Sequence, residues 1–327
     1  MKNIFLFSGQ GTQYYHMGSD LRECHLGFRS NLTRLSKRAS HVAGCSIIDV
    51  VYDPDKKKSD DFSDCRLSNI ALLTVEYALA ETLMQAGITP DAVCGMSLGE
   101  YTASVVAGGM DFETAIHLVA NAGVCFDACC EPGSMLAVLD DISIYHNSDI
   151  LRKSTDIAFD CYGKHFVIAG SVEETGKAEK YLRQKGVCFQ SLPVEFGYHS
   201  KNIDPAYSAY TKILDSVSFN KLRLPLYSTV TTRRIDYLND GHFWRTAREP
   251  IRFMEALESI DHNTGYRYID LGPTGTMANL MRYRRGLSSS PDVFPIITPF
   301  NNSQLNYSRL LDAVNKPQTS SSIISYV

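Results

Sequence analysis

A serine between two glycines is the residue of this sequence best suited to covalent chemistry. It lies in the segment Gly95-Met96-Ser97-Leu98-Gly99, and the flanking residues predict a short strand at 92–94 and a helix at 100–107. A tight strand-to-helix turn lifts a serine hydroxyl clear of the backbone and directs a helix N-terminus at the anion that forms during acyl transfer. The pattern predicts a nucleophile at Ser97. The alternative is an ordinary turn whose serine caps the following helix.

A serine hydroxyl needs a base that takes its proton during the attack. His199 follows Phe196-Gly197-Tyr198, where the chain is predicted to return from a small domain to a large one. A histidine at that junction would face the cleft between the domains. The other histidines that we considered fit helix surfaces or polar stretches; they are His25, His41, His117, His146 and His262.

Acyl transfer also needs backbone N–H groups that stabilise the oxyanion. Leu98, directly after Ser97, can provide one of them. The loop Gly9-Gln10-Gly11, after the first predicted strand, can provide the other, because glycines allow the backbone to approach closely. A phosphate-binding loop is the alternative for these glycines, but Thr12-Gln13-Tyr14-Tyr15 lacks the Lys-Ser/Thr pair of a P-loop.

The predicted order of helices and strands places these residues in an α/β protein that has two parts. The larger part is expected to be α/β-hydrolase-like, with a parallel sheet and a nucleophile elbow. Between 134 and 194 the order is strand, helix, strand, strand, helix, strand, which is typical of a ferredoxin-like α+β subdomain of about 65 residues. The predicted strands of this insert are 135–139, 157–161, 165–169 and 187–194, and its helices are 142–153 and 173–185.

After His199 the large domain is predicted to resume, with strand candidates at 225–230, 266–271 and 293–297. The predicted domain organisation is the large domain at 1–130, the small subdomain at 131–196, the large domain again at 197–317, and a disordered Ser/Thr-rich tail at 318–327. A cleft between two such parts is a usual place for a ligand.

Composition excludes several classes of protein. The chain is 44% hydrophobic and 21% charged, which indicates a globular core. Its net charge of −4 provides no basic field for nucleic acid, and no apolar run approaches the roughly 18 residues of a membrane helix. The clustered Cys125, Cys129 and Cys130 have no histidine at ligand spacing, so neither a metal nor a cofactor is predicted. We expect a cytoplasmic protein with reduced thiols.

Further motifs accompany the elbow in a fixed order. They are FSGQGTQ at 7–13, GMSLGE at 95–100, HFVIAG at 165–170, YHS at 198–200 and DLGPTG at 270–275. With these motifs, nearly the whole chain resembles the malonyl-CoA:acyl carrier protein transacylases and the acyltransferase domains of polyketide synthases.

The resemblance implies a Ser-His dyad that works in two half-reactions. Ser97 would attack a thioester with His199 as the general base, and a second nucleophile would release the acyl group from the ester. The backbone amides of Gln10 and Leu98 match the oxyanion hole of the family. In the family a backbone carbonyl orients the histidine, and Glu249 stands at that position, where Asn or Gln is usual. The implied partner is an acyl carrier protein, with acyl-CoA as a second acyl donor.

Two residues depart from the pattern of the family. Members that use malonyl groups carry an arginine within Leu-Val-x-x-Arg-Gly, whereas LVANAG at 118–123 has Ala122 at that position. Without a guanidinium partner, a buried malonyl carboxylate would lose several kcal/mol, on the order of its desolvation cost. Met96 replaces a common histidine, and its flexible apolar side chain suits a neutral acyl chain. Met96, Ala122 and Tyr198 are therefore predicted to line a pocket for a neutral acyl group.

Both departures resemble one branch, the stand-alone acyl hydrolases of trans-acyltransferase polyketide synthases. Segments GQGTQYYHMG at 9–18, IDPA at 203–206 and IITPF at 296–300 are similar to that branch. The resemblance implies an editing enzyme that cleaves stalled acyl units from carrier proteins with water. The alternatives are a transacylase that loads a neutral acyl unit and an inactive docking protein. Arg282, Arg284 and Arg285 are candidates for steering an acidic carrier protein, or else form a solvated helix end.

Overall fold

The structure is a computed structural model of the 327-residue chain. It describes residues 1–161, 163–239, 241–260, 265–284 and 292–315. The predicted disordered tail at 318–327 lies outside the described residues.

Strands and helices alternate along most of the described chain. The strands are β1 Lys2–Phe7, β2 Ala92–Gly95, β3 Gly133–Val138, β4 Asp156–Cys161, β5 His165–Ser171, β6 Phe189–Ser191, β7 Leu226–Ser228, β8 Arg233–Ile235, β9 Tyr266–Asp270 and β10 Val293–Pro295. The first helices are α1 Ser19–Cys24, α2 Leu26–Ala43, α3 Ile47–Val51, α4 Cys65–Gln85, α5 Gly99–Val106, α6 Phe112–Cys129 and α7 Ser143–His146. The remaining helices are α8 Asp149–Ser154, α9 Val172–Gln184, α10 Tyr207–Asp215, α11 His242–Arg248, α12 Phe253–Glu258, α13 Thr276–Arg284 and α14 Ser303–Asn315. A 3₁₀ helix, Lys201–Ala206, precedes α10.

The larger sheet has the strand order β10-β9-β1-β2-β7-β8. All of its neighbouring strands are parallel except β7 and β8. The last four residues of β1, Ile4 to Phe7, are fully buried, as expected for a parallel strand that helices cover on both faces. The predicted α/β fold with a parallel sheet is confirmed. The antiparallel edge strand β8 was not predicted, because its three residues Arg-Arg-Ile carry almost no hydrophobic signal.

The smaller sheet is antiparallel and has the order β4-β5-β3-β6. This is the strand order of a ferredoxin-like unit, so the predicted antiparallel subdomain is confirmed. One predicted helix, 142–153, is wrong, because the chain forms two short helices there. Ser148 adopts an extended conformation and accepts a hydrogen bond from the Leu151 N–H, which starts α8 anew. The division of the chain at 131 and 196 stays a prediction.

The two faces of the smaller sheet have different roles. Leu136 and Phe166 pack with α9 in a small core of their own. Met135 and Val167, on the other face, join the main hydrophobic core of the large sheet, because side chains alternate along a strand. This second face therefore belongs to the main core and supplies part of the wall of the site described below. No described helix combines the length and the apolar character that crossing a membrane requires.

Candidate active site

The predicted elbow connects β2 to α5 in a sharp turn. Ser97 has a left-handed backbone, with φ of 54°, a conformation that costs a non-glycine residue about 1–3 kcal/mol and that clusters at functional sites. A Cβ on Gly99 would collide with the carbonyl of Phe7, so the turn depends on a glycine there. The Ser97 side chain does not cap α5, which begins without any side-chain capping bond. The alternative of a merely capping serine therefore does not describe this turn.

The Ser97 hydroxyl meets the imidazole of His199. Ser97 Oγ lies 2.9 Å from His199 Nε2. His199 Nδ1 lies 2.7 Å from the backbone carbonyl oxygen of Glu249. The backbone N–H of His199 donates to the carbonyl of Ala247 at 2.8 Å. Since a carbonyl only accepts, Nδ1 carries the proton, and the neutral ring presents the lone pair of Nε2 to the serine hydroxyl.

The electrostatic environment keeps this imidazole neutral. His199 is buried, and burial lowers its pKa to about 4, with the Glu249 carbonyl opposing and Arg248 adding to the decrease. At neutral pH the ring is therefore in the form that can take a proton.

The carbonyl of Glu249, and not its carboxylate, contacts His199. The carboxylate forms an ion pair with Arg245, at 2.6 Å from Arg245 Nε to Glu249 Oε1. Because only the backbone of residue 249 faces the imidazole, the geometry does not depend on which side chain stands there. This explains how Glu249 can replace the Asn or Gln of the resembling family.

The glycine loop after β1 lies directly against the elbow. A Cβ on Gly9 would come within 2.9 Å of the Ser97 Cβ. Among the described residues, neither the Gln10 N–H nor the Leu98 N–H is paired with an acceptor, so both are available for an oxyanion.

The buried carboxyl group of Glu76 connects the glycine loop after β1 to α5, the helix that follows the elbow. Glu76 of α4 accepts the Ser8 N–H and hydroxyl at 2.7 and 2.8 Å, and the Thr102 hydroxyl of α5 at 3.0 Å. Burial raises the pKa of Glu76 to about 8, against these hydrogen bonds. Sequence reasoning missed Glu76, because nothing in the helical pattern around it distinguishes a buried carboxyl from a solvated one.

Two cavities meet at Ser97. The larger cavity, of about 270 Å³, lies between the elbow and the smaller sheet. It is mainly apolar, and its lining includes Met96, Met135, Ala137, Phe159, Val167, Leu192, His165 and His199. The smaller cavity, of about 40 Å³, is lined by Gln10, Asn69, Ser97, Leu98, Tyr101, Val119, Ala122, Phe126, Tyr198, Tyr210, Thr246 and Ala247. Ser97, Gln10 and Tyr198 line both.

The structure separates the residues that were predicted to form one acyl pocket. Met96 lines the larger cavity and Ala122 the smaller one, whereas Tyr198 lies between them. The Tyr198 hydroxyl is 2.9 Å from Cys65 Sγ, which fixes its ring between the cavities. Met96 and Ala122 therefore belong to different walls of the site, and their contact with an acyl group stays a prediction.

Another buried pair close to the elbow was not predicted at all. Glu100 Oε2 lies 2.7 Å from His242 Nε2, and both side chains are buried. Glu100 belongs to the motif GMSLGE, but 142 residues separate it from His242, and His242 belongs to no motif. No signal in the sequence connects the two residues.

The other candidate sites of the sequence take no part in this arrangement. Within the described ranges, no group of His, Cys, Asp and Glu is suited to a metal ion. Burial raises the pKa of the Cys125 thiol to about 12 and that of Cys130 to about 11, so both stay protonated. Arg282 donates to the Val293 carbonyl at 3.0 Å and so joins α13 to β10. The Arg284 side chain and Arg285 lie outside the described residues.

Comparison with known proteins identifies the family of the chain. The sequence profile of the acyl transferase domain matches residues 4–295. The chain belongs to the acyl transferase domain family. The expected resemblance is thereby confirmed.

Individual relatives and solved structures cover almost the entire chain. The polyketide biosynthesis acyltransferase homolog PksD of Bacillus subtilis (strain 168) is 35% identical over 93% of this chain and 94% of its own length. The homolog BaeD of Bacillus velezensis is 36% identical over 96% of this chain and 97% of its own length. The crystal structure of MCAT from Streptococcus pneumoniae superimposes with a TM-score of 0.75 at 25% identity, over 94% of this chain and all of that one.

Proposed function

We propose that this acyltransferase-family enzyme hydrolyses neutral acyl thioesters on acyl carrier proteins of polyketide biosynthesis, through an ester on Ser97. The observation that carries the proposal is the 2.9 Å contact between Ser97 Oγ and His199 Nε2 at the place where two cavities meet. Neutral imidazole beside a serine hydroxyl is the arrangement that activates serine for acyl transfer.

The first half-reaction uses the Ser97 hydroxyl, the His199 imidazole and two backbone N–H groups. As Ser97 Oγ attacks the thioester carbon, its proton passes to His199 Nε2. The negative charge that develops on the carbonyl oxygen is stabilised by the N–H groups of Gln10 and Leu98. The carbon–sulfur bond then breaks, and the leaving thiolate takes the proton from Nε2. In the second half-reaction a water molecule gives a proton to Nε2 while its oxygen attacks the ester carbon. The bond between that carbon and Ser97 Oγ then breaks, Oγ takes the proton back from Nε2, and the free acid leaves.

The lining of the two cavities suggests which part of the substrate each one takes. His199 lines the larger cavity and is not among the residues of the smaller one. Both the leaving thiol and the attacking water exchange a proton with Nε2, so the phosphopantetheine arm and the water fit the larger cavity. The acyl group then extends into the smaller cavity.

The size and chemistry of the smaller cavity favour a short, neutral acyl group. A cavity needs a volume of about 10–15 Å³ to hold one water molecule. The smaller cavity, of about 40 Å³, therefore has room for only a few heavy atoms. No lysine or arginine is among its lining residues, all of which the structure describes. A malonyl carboxylate would be buried there without a cation, at a cost of several kcal/mol, on the order of the penalty for an unpaired buried charge.

The relatives support the biosynthetic setting of the proposal. PksD and BaeD, both described as polyketide biosynthesis acyltransferase homologs, match this chain over nearly their full lengths. The second candidate function is transacylation, which the likeness to the S. pneumoniae MCAT favours. Both functions share the ester on Ser97 and differ only in whether water or a thiol attacks it. An inactive docking protein would have no need for the strained serine and its histidine partner.

A panel of acyl groups on carrier protein tests the proposal. Acetyl-, propionyl-, hexanoyl- and malonyl-loaded carriers are incubated with the enzyme and an excess of a second, unloaded carrier, and both the free acid and the transferred acyl group are measured. We expect free acid from acetyl and propionyl carriers, little from malonyl carrier, and none with Ser97→Ala. Quantitative transfer to the second carrier without free acid would identify a transacylase. Equal rates for Ser97→Ala and wild type would contradict both enzymatic functions.

A further inference from the structure

The carboxylate of Glu100 is fully buried three residues after the nucleophile, yet it lines neither cavity. Oε1 accepts the N–H and the hydroxyl of Thr229, both at 2.8 Å, and the hydroxyl of Ser228 at 3.1 Å. Oε2 lies 2.7 Å from His242 Nε2. Four donor groups thus contact this carboxylate, three at Oε1 and one, the His242 imidazole, at Oε2.

His242 connects this carboxylate to the helix that holds the base. It is the first residue of α11 and only 2% exposed. At the other end of α11, the carbonyls of Ala247 and Glu249 accept the N–H of His199 and the proton on its Nδ1, respectively. Helix α11 has seven residues and is therefore about 10 Å long at 1.5 Å per residue. One end is bonded to the nucleophile helix and the other to the base.

Thr229 provides a second connection between the same two parts of the site. Its carbonyl accepts the Arg252 N–H at 3.1 Å, while its N–H and hydroxyl are bonded to Glu100. The segment 249–252 contains the carbonyl that orients His199. Helix α11 precedes this segment and Thr229 binds its last residue, and both α11 and Thr229 are bonded to the carboxylate of Glu100. Tyr101 of α5 and Phe243 of α11 also stack, with 4.1 Å between their ring centroids.

We propose that Glu100 and His242 are positioning residues that set the distance between Ser97 Oγ and His199 Nε2. The inference rests on the proposed function only in taking Ser97 and His199 as the reacting pair. Removing the His242 imidazole leaves Glu100 with an unpaired oxygen in the core, and the carboxylate then draws α5, Thr229 or water into a new arrangement. A misplacement of about 1 Å is enough to lower a rate by about 10²-fold, whichever nucleophile completes the reaction.

Variants of His242 test the inference, with Asp270→Asn as the matched control. Glutamine at 242 keeps an N–H donor near the position of Nε2, whereas leucine keeps only bulk. Asp270 is an equally buried carboxylate, but it accepts the backbone N–H groups of Gly272 and Ala278, outside α11. Single-turnover formation of acyl-Ser97 from acetyl carrier is followed by intact-protein mass spectrometry across pH, well below the melting temperature of each variant.

We expect His242→Leu to acylate about 10²-fold more slowly than wild type at saturating substrate, with KM within about twofold. Its pH limb should move to lower pH, because the bond to the Glu249 carbonyl, which raises the pKa of His199, is loosened. His242→Gln should recover most of the rate. Asp270→Asn should lose a comparable amount of thermal stability without either change in acylation.

Several results would overturn the inference. One is a wild-type acylation rate for folded His242→Leu; another is an equal rate loss in Asp270→Asn at equal loss of melting temperature, which would show a role in stability alone. If His242→Leu does not fold, Thr229→Val serves as the second variant, because it removes only the hydroxyl that Glu100 accepts. A wild-type acylation rate in Thr229→Val would then count against the inference. Absence of acyl-Ser97 in the wild-type enzyme would instead contradict the proposed function.

Discussion

The two cavities that meet at Ser97 differ in both size and chemistry. The larger one is bounded by an apolar face of the smaller sheet and by His199, whereas the smaller one lies among α4, α5, α6 and the C-terminal end of α11 and has no histidine in its lining. A thioester divides at its carbonyl into an acyl group and a thiol. Under the proposed function, the thiol occupies the cavity that contains His199, because the thiol must exchange a proton with it, and the acyl group occupies the cavity without a histidine.

The proposed assignment of the acyl group and the thiol to different cavities separates specificity from catalysis. Substitutions in the smaller cavity should change which acyl group is accepted, and substitutions in the larger cavity should change how the carrier arm or the second nucleophile enters. Only Ser97, Gln10 and Tyr198, which line both cavities, should affect both properties. The following predictions test this separation, from the largest expected effect to the smallest.

Loss of the base should have the largest effect. His199→Gln leaves the cavities nearly unchanged in volume but removes proton transfer, so acylation of Ser97 should slow by about 10²–10⁴-fold. The measurement is single-turnover acylation by acetyl carrier, with binding of unloaded carrier as the control. Acylation within tenfold of wild type would show that His199 is not the base.

Filling the smaller cavity should change the choice of acyl group. Ala122→Arg introduces a long cationic side chain, which should lower hydrolysis of acetyl and propionyl carriers by about 10²-fold through overpacking and an unpaired charge. A malonyl carboxylate would supply the missing partner, so malonyl turnover should rise relative to acetyl.

The matched control is Ala122→Leu, which fills the same cavity without a charge. It should lose short acyl groups and gain nothing for malonyl. If neither variant alters the acyl preference, the acyl group does not occupy the smaller cavity, and the assignment of the two cavities is reversed.

Narrowing the larger cavity should weaken binding of the acyl-loaded carrier protein without changing which acyl group is preferred. Ala137 lies on the inner face of β3 in that cavity, and Ala137→Phe places a ring in the path assigned to the phosphopantetheine arm. We expect KM for acetyl carrier to rise about tenfold, equivalent to about 1.4 kcal/mol of lost binding. The ratio of acetyl to hexanoyl turnover should stay constant, and a change in that ratio would place the acyl chain in the larger cavity.

The pH dependence of acylation should show the smallest effect and the most specific one. His199 acts in its neutral form, so the rate rises as pH increases through its pKa. Because burial lowers that pKa to about 4, the rate should stay level from pH 7 to about pH 5 and fall by half near pH 4. A midpoint near 6.5, the ordinary value for histidine, would mean that the imidazole is solvated in the working enzyme.

Much of the site could be predicted because its groups belong to local patterns. The elbow is encoded within five residues, since a small-residue turn between a buried strand and a helix has few other solutions. The backbone N–H of Leu98 follows from the same five residues. Strand β1 was predictable from its hydrophobic pattern, whereas the short edge strand β8 and the break before α8 have weak or conflicting local signals.

The sequence by itself determined the family of this protein, its two sheets, and the types of residue at the reacting centre. Local chemistry was enough for this, because motifs and hydrophobic periods are properties of neighbouring residues. The resemblance had implied that Ser97 pairs with His199 and that the carbonyl of Glu249 orients the imidazole. Only the tertiary structure gave the distances of these contacts and the contact of Glu100 with His242, which no local pattern connects. It also placed Met96, at the elbow, and Ala122, within α6, in different cavities, because the wall that a residue joins depends on the elements that pack around it.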